Sequence, residues 1–139
     1  MEKGKILGLV LMLLSVSCNP GKQEKDEPFT ANQDCIQIVL FHLAQRCESC
    51  TAVESETNAI LEEEYNDELT GGKIRFLSFD IHSENGKKAA LRLKATGQNL
   101  FVVKGDSISD LSGPAFLFAH THPERYHNAL VKEIEKYLD

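Results

Sequence analysis

The 139-residue sequence has no excess of basic residues, few cysteines and no apolar run long enough to span a membrane. Its net charge of −6 gives no basic surface for phosphate backbones, which argues against nucleic-acid binding. Four cysteines are too few for a small domain held together by disulfides. The apolar run at residues 6–14 is far shorter than the roughly 20 residues of a membrane-spanning helix. A hydrophobic share of 42% excludes wholesale disorder and is typical of one globular domain.

The first 17 residues have the features of a secretory signal peptide. Lys3 and Lys5 precede the apolar run, and small residues lead directly to Cys18. This arrangement resembles the lipobox of bacterial lipoproteins, in which the cysteine is lipidated and becomes the first residue of the mature protein. We therefore expect Cys18 to anchor the protein at the periplasmic face of the cell membrane or at the outer membrane. Secretion with a free Cys18 and an uncleaved anchor are the alternatives.

Residues 18–33 separate this leader from the folded part of the chain. After Cys18 they include two prolines, one glycine and mixed charges, with Phe29 as the only large apolar side chain. Such a composition cannot bury itself, so it predicts a flexible tether behind the lipidated cysteine. The folded domain is then expected to occupy residues 34–139, a usual length for one small domain.

The domain alternates strands and helices along the chain. Apolar and β-branched residues predict strands at 35–43, 73–81, 99–104 and about 107–111. Amphipathic spacing predicts helices at 48–69 and at 83–94, and a last helix that starts with a capping box formed by Thr121 and Glu124. The order βαβαββα predicts an α/β fold whose mixed central sheet is flanked by helices on both faces. Its crossovers predict a parallel core, and a hairpin adds an antiparallel edge.

A Cys-x-x-Cys motif, Cys47 to Cys50, stands where the first predicted strand gives way to the first predicted helix. This spacing at a helix start brings two sulfurs close enough to bond, and the amides and dipole of a helix N-terminus favour a thiolate. Cys47, nearer the surface, is the expected nucleophile and Cys50 the expected resolving thiol. Arg46, adjacent to Cys47, is a candidate for stabilising the anion. Thiol–disulfide exchange is therefore the favoured chemistry.

Other functions share the same spacing. A Cys-x-x-Cys pair can also supply two of the four ligands of a zinc site. The sequence has no second Cys-x-x-Cys and no His-x-x-His to complete such a site. A merely structural disulfide is a further alternative. His42, five residues before Cys47, is a candidate proton donor or third metal ligand, although such a histidine is more often a partly buried strand residue.

The segment FHLAQRCESCTAVE, followed by GGKIRFLSFDI and NLFVVK, resembles a thioredoxin-fold domain. More narrowly, it is similar to small exported Bacteroidetes proteins of the ArsF family, whose label is nitrophenyl compound nitroreductase subunit. The matching positions are Phe41, His42, Arg46, Cys47 and Cys50. The resemblance implies a thiol–disulfide oxidoreductase with protein thiol or disulfide partners and a membrane protein as a possible electron donor. It implies no organic cofactor.

Two positions depart from the thioredoxin pattern. Arg46 replaces the tryptophan before the first cysteine, and Gln98 and Asn99 stand where thioredoxins have a proline before the third strand. That proline faces the dithiol and helps to bind extended substrates. Its absence keeps two alternatives open. One is a module that binds copper, zinc or arsenite through the cysteine pair and His42, and the other is a non-catalytic subunit of a membrane redox complex.

The remaining candidates have simple structural interpretations. Cys35 is expected to be buried and inert rather than to exchange with the pair, and Asp80 to be a turn residue. His120 and His122 are expected to be solvated loop residues rather than metal ligands. The first helix carries a run of acidic residues that predicts a solvated face or a surface for a basic partner: Glu54, Glu56, Glu62, Glu63, Glu64, Asp67 and Glu68.

Overall fold

A computed structural model describes residues 28–138. The strands of this region are β1 (Ile36–His42), β2 (Ile74–Asp80), β3 (Asn99–Lys104) and β4 (Ser107–Asp110). Its helices are α1 (Glu48–Glu64), α2 (Asn66–Thr70), α3 (Glu84–Leu93), α4 (Ser112–Phe118) and α5 (Pro123–Glu135). No helix within these residues is long and apolar enough to cross a membrane. The predicted signal peptide, Cys18 and the first part of the tether lie outside the described residues.

The strands form one mixed sheet in the order β2-β1-β3-β4. β1 pairs in parallel with β2 but antiparallel with β3, and β3 and β4 form the predicted hairpin. The predicted parallel core is therefore limited to one pair of strands. The strand pairing explains this. Asp80, at the end of β2, pairs with His42, and Asn99, at the start of β3, pairs with Phe41, so both lie at the carboxyl end of β1. The segment between β2 and β3 thus begins and ends at the same edge of the sheet, so β3 runs back antiparallel.

Helices cover both faces of the sheet, as the sequence predicts. Alternate residues of a strand point to opposite faces. Ile36, Ile38 and Leu40 of β1 accordingly pack with buried residues of α1, α4 and α5, whereas Val39 and Phe41 pack with α3. β1 is buried along its whole length, which accounts for its nearly continuous apolar sequence. The carboxyl end of β1 therefore rests on a core that is packed from two sides.

The helical segment after β1 is broken where the sequence predicts one continuous helix over 48–69. α1 ends at Glu64, and Tyr65, with φ −132°, separates it from α2. Tyr65 is buried, and its hydroxyl donates a hydrogen bond to Glu135 of α5 at 2.8 Å. The predicted apolar stripe is confirmed, since the following residues are all buried: Val53, Thr57, Ile60, Leu61 and Tyr65. A tertiary contact at Tyr65 thus accompanies the break.

The sequence pattern misses α4 and misplaces the start of α5. α4 contains Gly113 and Pro114 in its first turn, where proline lacks only an amide that would be unpaired in any case. The N-cap of α5 is His122, not Thr121. The Thr121 hydroxyl instead donates to the carbonyl of Leu117 at 2.9 Å. The predicted capping box is therefore wrong, because its threonine hydroxyl is bonded to the preceding helix.

Candidate active site

The carboxyl edge of the sheet places the Cys-x-x-Cys motif at a strand-to-helix junction. β1 ends at His42, and a short loop leads to Cys47, the N-cap residue of α1. The Cys47 backbone is extended, and its carbonyl accepts a hydrogen bond from the Thr51 amide at 3.1 Å. Cys47 is exposed, whereas Cys50 in the first helical turn is fully buried. One sulfur is therefore accessible to a partner and the other is protected.

The two sulfur atoms lie 3.6 Å apart, and both cysteines are free thiols. The backbone amide of Cys50 and its thiol lower the pKa of Cys47, with further contributions from the Ser49 amide and the Gln98 side chain. Burial raises the pKa of Cys50, and the hydrogen bond to the Cys47 sulfur raises it further. The geometry thus favours a Cys47 thiolate that accepts a hydrogen bond from a protonated Cys50.

Gln98 is a site residue to which the sequence assigns no chemical role. It directly precedes β3, and its side-chain amide nitrogen lies 3.9 Å from the Cys47 sulfur. The sequence marks this position only as the place of an absent proline. The absence of that proline nevertheless points to the position that faces the dithiol. The donor itself appears only in the structure, since 51 residues separate the two side chains along the chain.

Arg46 and His42, the other two predicted site residues, contact each other. Arg46 Nη2 donates to His42 Nε2 at 2.9 Å and lies 3.5 Å from Ser78 Oγ, and Arg46 Nη1 forms an ion pair with Glu54. His42 Nδ1 lies 2.8 Å from the carbonyl oxygen of Leu43. A guanidinium only donates and a carbonyl only accepts, so the ring carries its proton on Nδ1. His42 is therefore a buried ring whose Nε2 accepts from Arg46.

The contact between Arg46 and His42 restricts the alternative metal site, which would consist of Cys47, Cys50 and His42. A metal at His42 Nε2 would have to displace the Arg46 guanidinium. Within residues 28–138, no group of three or more histidine, cysteine, aspartate or glutamate side chains is placed to hold a metal ion. Metal binding through the two cysteines stays a prediction from the sequence.

Cys35 and Asp80 have the structural positions that the sequence predicts. Cys35 is buried just before β1, and burial raises the pKa of its thiol. The seven residues of β1, about 23 Å of extended chain, separate it from the edge that carries the motif. Asp80 ends β2, and its Oδ1 accepts from the His82 amide at 2.9 Å. Cys35 is thus at the opposite end of β1 from the pair, and Asp80 is the turn residue that the sequence predicts.

The histidines near the start of α5 contact separate partners. His120 Nε2 lies 4.0 Å from Glu48 Oε2, and His122 Nδ1 lies 3.0 Å from the Thr121 hydroxyl. His127, on the next turn, contacts Glu64 at 3.2 Å. The solvated acidic face is confirmed in part. Four of the seven acidic residues are exposed and three are half-buried: Glu62, Glu63, Glu64 and Asp67 against Glu54, Glu56 and Glu68.

Alkylation of Cys47 is expected to persist to lower pH than that of the two buried cysteines. The attacking thiolate is present above the lowered pKa of Cys47, and the rate falls as the pH drops through that value. Cys35 and Cys50, whose pKa values burial raises, are internal controls. Reaction of the reduced protein with iodoacetamide, mapped by peptide mass spectrometry over a pH series, measures all three. One shared pH profile would contradict these roles.

The same ionisation links pH to the stability of the reduced protein. Because the pKa of Cys47 is lower in the folded than in the unfolded chain, the thiolate stabilises the reduced fold above the ordinary thiol pKa. This contribution is lost as the pH falls through the lowered pKa of the folded state.

The comparisons with known proteins concern the fold. No protein-family model and no curated protein matches the sequence. A malarial protein of known structure is 15% identical, with a TM-score of 0.50, over 76% of this chain and 99% of its own. Thioredoxin f2 of Chlamydomonas reinhardtii is 14% identical, with a TM-score of 0.49, over 76% of this chain and 82% of its own. The germline-specific thioredoxin Deadhead of Drosophila melanogaster is 13% identical, with a TM-score of 0.48, over 75% of this chain and 98% of its own.

The architecture agrees with the resemblance drawn from the sequence. The sheet is mixed, has four strands within the described residues, and has helices on both faces. The Cys-x-x-Cys pair begins the helix that follows the central strand β1. The chain therefore has the thioredoxin-like fold, with a free cysteine pair at the start of its first helix.

Proposed function

We propose that this protein is a thiol–disulfide oxidoreductase that exchanges disulfides with protein partners. The observation that carries the proposal is the asymmetry of the pair. An exposed Cys47 with a lowered pKa lies 3.6 Å from a buried Cys50 with a raised pKa. Exchange needs an accessible attacking thiolate and a second thiol that stays protonated until the first has reacted. A merely structural disulfide needs neither property.

The exchange proceeds in two steps. The Cys47 thiolate attacks one sulfur of a partner disulfide, which forms a mixed disulfide and releases the other partner sulfur as a thiolate. Cys50 then loses its proton and attacks the Cys47 sulfur, which forms the Cys47–Cys50 bond and releases the second partner thiolate. The partner gains two electrons, and this protein loses two electrons and the Cys50 proton. The released partner thiolates take up protons from this thiol or from solvent according to their own pKa values. The reverse sequence oxidises a dithiol partner.

The side chain of Gln98 raises the fraction of Cys47 that is ionised before the first step. Its amide nitrogen faces the Cys47 sulfur and stabilises the thiolate, as its part in lowering the pKa of Cys47 indicates. When Cys47 attacks, its negative charge moves to the leaving sulfur. A donor at this position therefore favours the thiolate before attack and has less effect once the mixed disulfide has formed.

We further propose that the protein is exported and anchored by a lipid on Cys18. The support is the signal-peptide pattern of residues 1–17 and the cysteine that follows it. Export agrees with the chemistry, since compartments outside the cytoplasm permit disulfides. Kinship with the ArsF family rests on the matching positions Phe41, His42, Arg46, Cys47 and Cys50, and a membrane protein as electron donor is what that resemblance implies.

A redox titration of the full chain tests the proposed chemistry. We expect a reversible two-electron transition against glutathione in metal-free buffer, with the Cys47–Cys50 bond identified by mass spectrometry. A potential of about −270 mV would indicate a thioredoxin-like reductant, and one of about −120 mV would indicate an oxidant. Absence of a reversible transition would contradict the proposal. The sample would then be assayed for copper(I), zinc and arsenite binding, which would favour the metal module.

A further inference from the structure

The last residues of the predicted tether pack on the folded domain. Phe29 is half-buried and contacts the apolar cluster that β1 and α3 form on one face of the sheet. The carbonyl of Thr30 and the amide of Asn32 both bond to the side chain of Gln37 in β1. We call residues 29–33 the docked segment, because this part of the chain is tied to the sheet before β1 begins.

Gln37 holds the docked segment with both groups of its side-chain amide. Its Oε1 accepts from the Asn32 amide at 3.2 Å, and its Nε2 donates to the Thr30 carbonyl at 3.0 Å. Gln37 is only 3% exposed and is the one polar residue among the first six of β1. A buried amide is tolerated where its donor and its acceptor are both bonded, and the docked segment supplies both partners. The docked segment is therefore part of the fold.

The docked segment also contacts the turn between β3 and β4. The Gly105 amide donates to the Asn32 carbonyl at 2.8 Å. A side chain at Gly105, where φ is +58°, would be strained and would collide with Gln33, so this turn requires glycine. Gln37 is the second residue of β1 and pairs with Val103, two residues before Gly105. These hydrogen bonds thus lie at the amino end of β1.

Cys47 lies beyond the opposite end of β1. The seven residues of the strand span about 23 Å. Ten residues, 19–28, join the docked segment to Cys18. A flexible chain of ten residues has a root-mean-square end-to-end distance of about 17 Å and reaches about 35 Å when fully extended. The cysteine pair therefore reaches a bilayer that holds a lipid on Cys18 only when the tether is almost fully extended around the domain.

We propose that the docked segment holds the cysteine pair away from the bilayer, so that its partners are proteins that present a disulfide in the aqueous phase and not disulfides at the membrane surface. The inference rests on the proposed exchange function and on the proposed lipid at Cys18. A tether speeds an encounter only when it spans the distance between the two sites. The docked segment keeps the tether at ten residues, whereas its release would lengthen the tether to sixteen, 19–34.

Vesicles that display a disulfide on a lipid headgroup test this arrangement. The lipidated full chain, with its cysteine pair reduced, is reconstituted into phosphatidylcholine vesicles in which a small share of the lipid carries a pyridyl disulfide headgroup. Release of thiopyridone measures exchange with that headgroup. A soluble peptide with the same pyridyl disulfide measures exchange in the aqueous phase, and Cys18→Ser, which lacks the anchor, is the comparison.

The anchor is expected to give little gain with the headgroup disulfide. The anchored protein should exchange it less than about tenfold faster than Cys18→Ser does, because the docked tether does not span the distance. Both proteins should exchange the soluble peptide at the same rate. A larger gain, toward the about hundredfold or more that a spanning tether gives, would overturn the proposal.

Release of the docked segment should increase exchange at the bilayer. Gln37→Leu removes both hydrogen bonds and keeps an apolar side chain, so the anchored variant should exchange the headgroup disulfide about fivefold faster than the original protein. Insertion of glycine and serine residues after Pro28 lengthens the tether without altering the domain and should have the same effect. An unchanged rate with the soluble peptide shows that each variant is folded. If neither variant gains, the docked segment does not set the distance and the proposal is wrong.

The two underlying proposals fail in different ways. Absence of exchange with the soluble peptide by the unsubstituted protein would contradict the exchange function and this inference with it. Mass spectrometry that finds no lipid on Cys18 would overturn the inference and leave the exchange function intact.

Discussion

Replacing Cys50 with alanine is expected to leave the protein covalently joined to its partner through Cys47. Cys47 is exposed and retains amide donors from the start of α1, so it still attacks a partner disulfide. The buried thiol that resolves the mixed disulfide is absent, so the intermediate accumulates and turnover falls to background. Non-reducing electrophoresis followed by mass spectrometry of the adduct measures the outcome.

Two cysteine variants serve as controls for this experiment. Cys47→Ala should form no adduct and show no exchange, because the accessible sulfur is gone. Cys35→Ala should exchange normally, since that residue lies at the opposite end of β1. Because Cys50 is fully buried, Cys50→Ser provides a second variant with a side chain of similar shape. If neither folded Cys50 variant forms an adduct in the presence of oxidised partners, the assigned roles are wrong.

The trapped species also reports on the proposed lipid anchor. If Cys18 carries the lipid, the adduct should be recovered in the membrane fraction. Cys18→Ser should then move it to the soluble fraction without changing the exchange chemistry. An unchanged distribution would contradict the anchor and leave the redox function intact.

Gly86→Ala is expected to lower the free energy of unfolding by about 1–3 kcal/mol, the usual cost of overpacking. A Cβ at this position would lie 1.8 Å from the carbonyl oxygen of Asp80 and 2.8 Å from its carbonyl carbon. Those atoms belong to the backbone at the end of β2, so α3 or the strand end must move. For a domain of this size, each kcal/mol lowers the thermal midpoint by about 4–8 °C.

Gly97→Ala is the control, because a Cβ there meets no atom within 4 Å outside its own chain neighbours. Gly86 lies within α3, whereas Gly97 lies in the segment before β3 and does not have a positive φ. Gly97→Ala should therefore be neutral or stabilising, since alanine also restricts the unfolded chain, and thermal unfolding followed by circular dichroism compares the two. Equal midpoints would show that the close approach of α3 to Asp80 does not limit stability.

The order of the four strands and of the three longest helices, and the place of the motif, are readable from the sequence because they depend on local patterns. The unbroken apolar run of β1 indicates a strand buried on both faces, and it is buried throughout. Ser83 is a helix-capping residue, and its hydroxyl accepts from the Gly86 amide at 2.9 Å. The cysteine spacing at a strand-to-helix junction locates the candidate site for the same reason.

Local patterns fail where a distant contact decides the outcome. Tyr65 fits the periodicity of a continuous helix, yet the helix breaks at this residue. The Tyr65 hydroxyl donates to Glu135, 70 residues away in the chain. Thr121 fits a capping box, but its hydroxyl bonds to Leu117 of the preceding helix. The antiparallel direction of β3 depends on the edge at which the chain re-enters the sheet, which no short window of sequence contains.

The sequence by itself determined the fold class, the position of the cysteine pair and the pattern that predicts export, since each is written in neighbouring residues. The exposure of Cys47 also follows from its predicted place at the helix start. Only the tertiary structure decided that Gln98 faces the Cys47 sulfur and that Arg46 pairs with Glu54 and His42. Burial and charge act over a few ångströms in space. The chemistry of the pair therefore depends on side chains that only folding brings together.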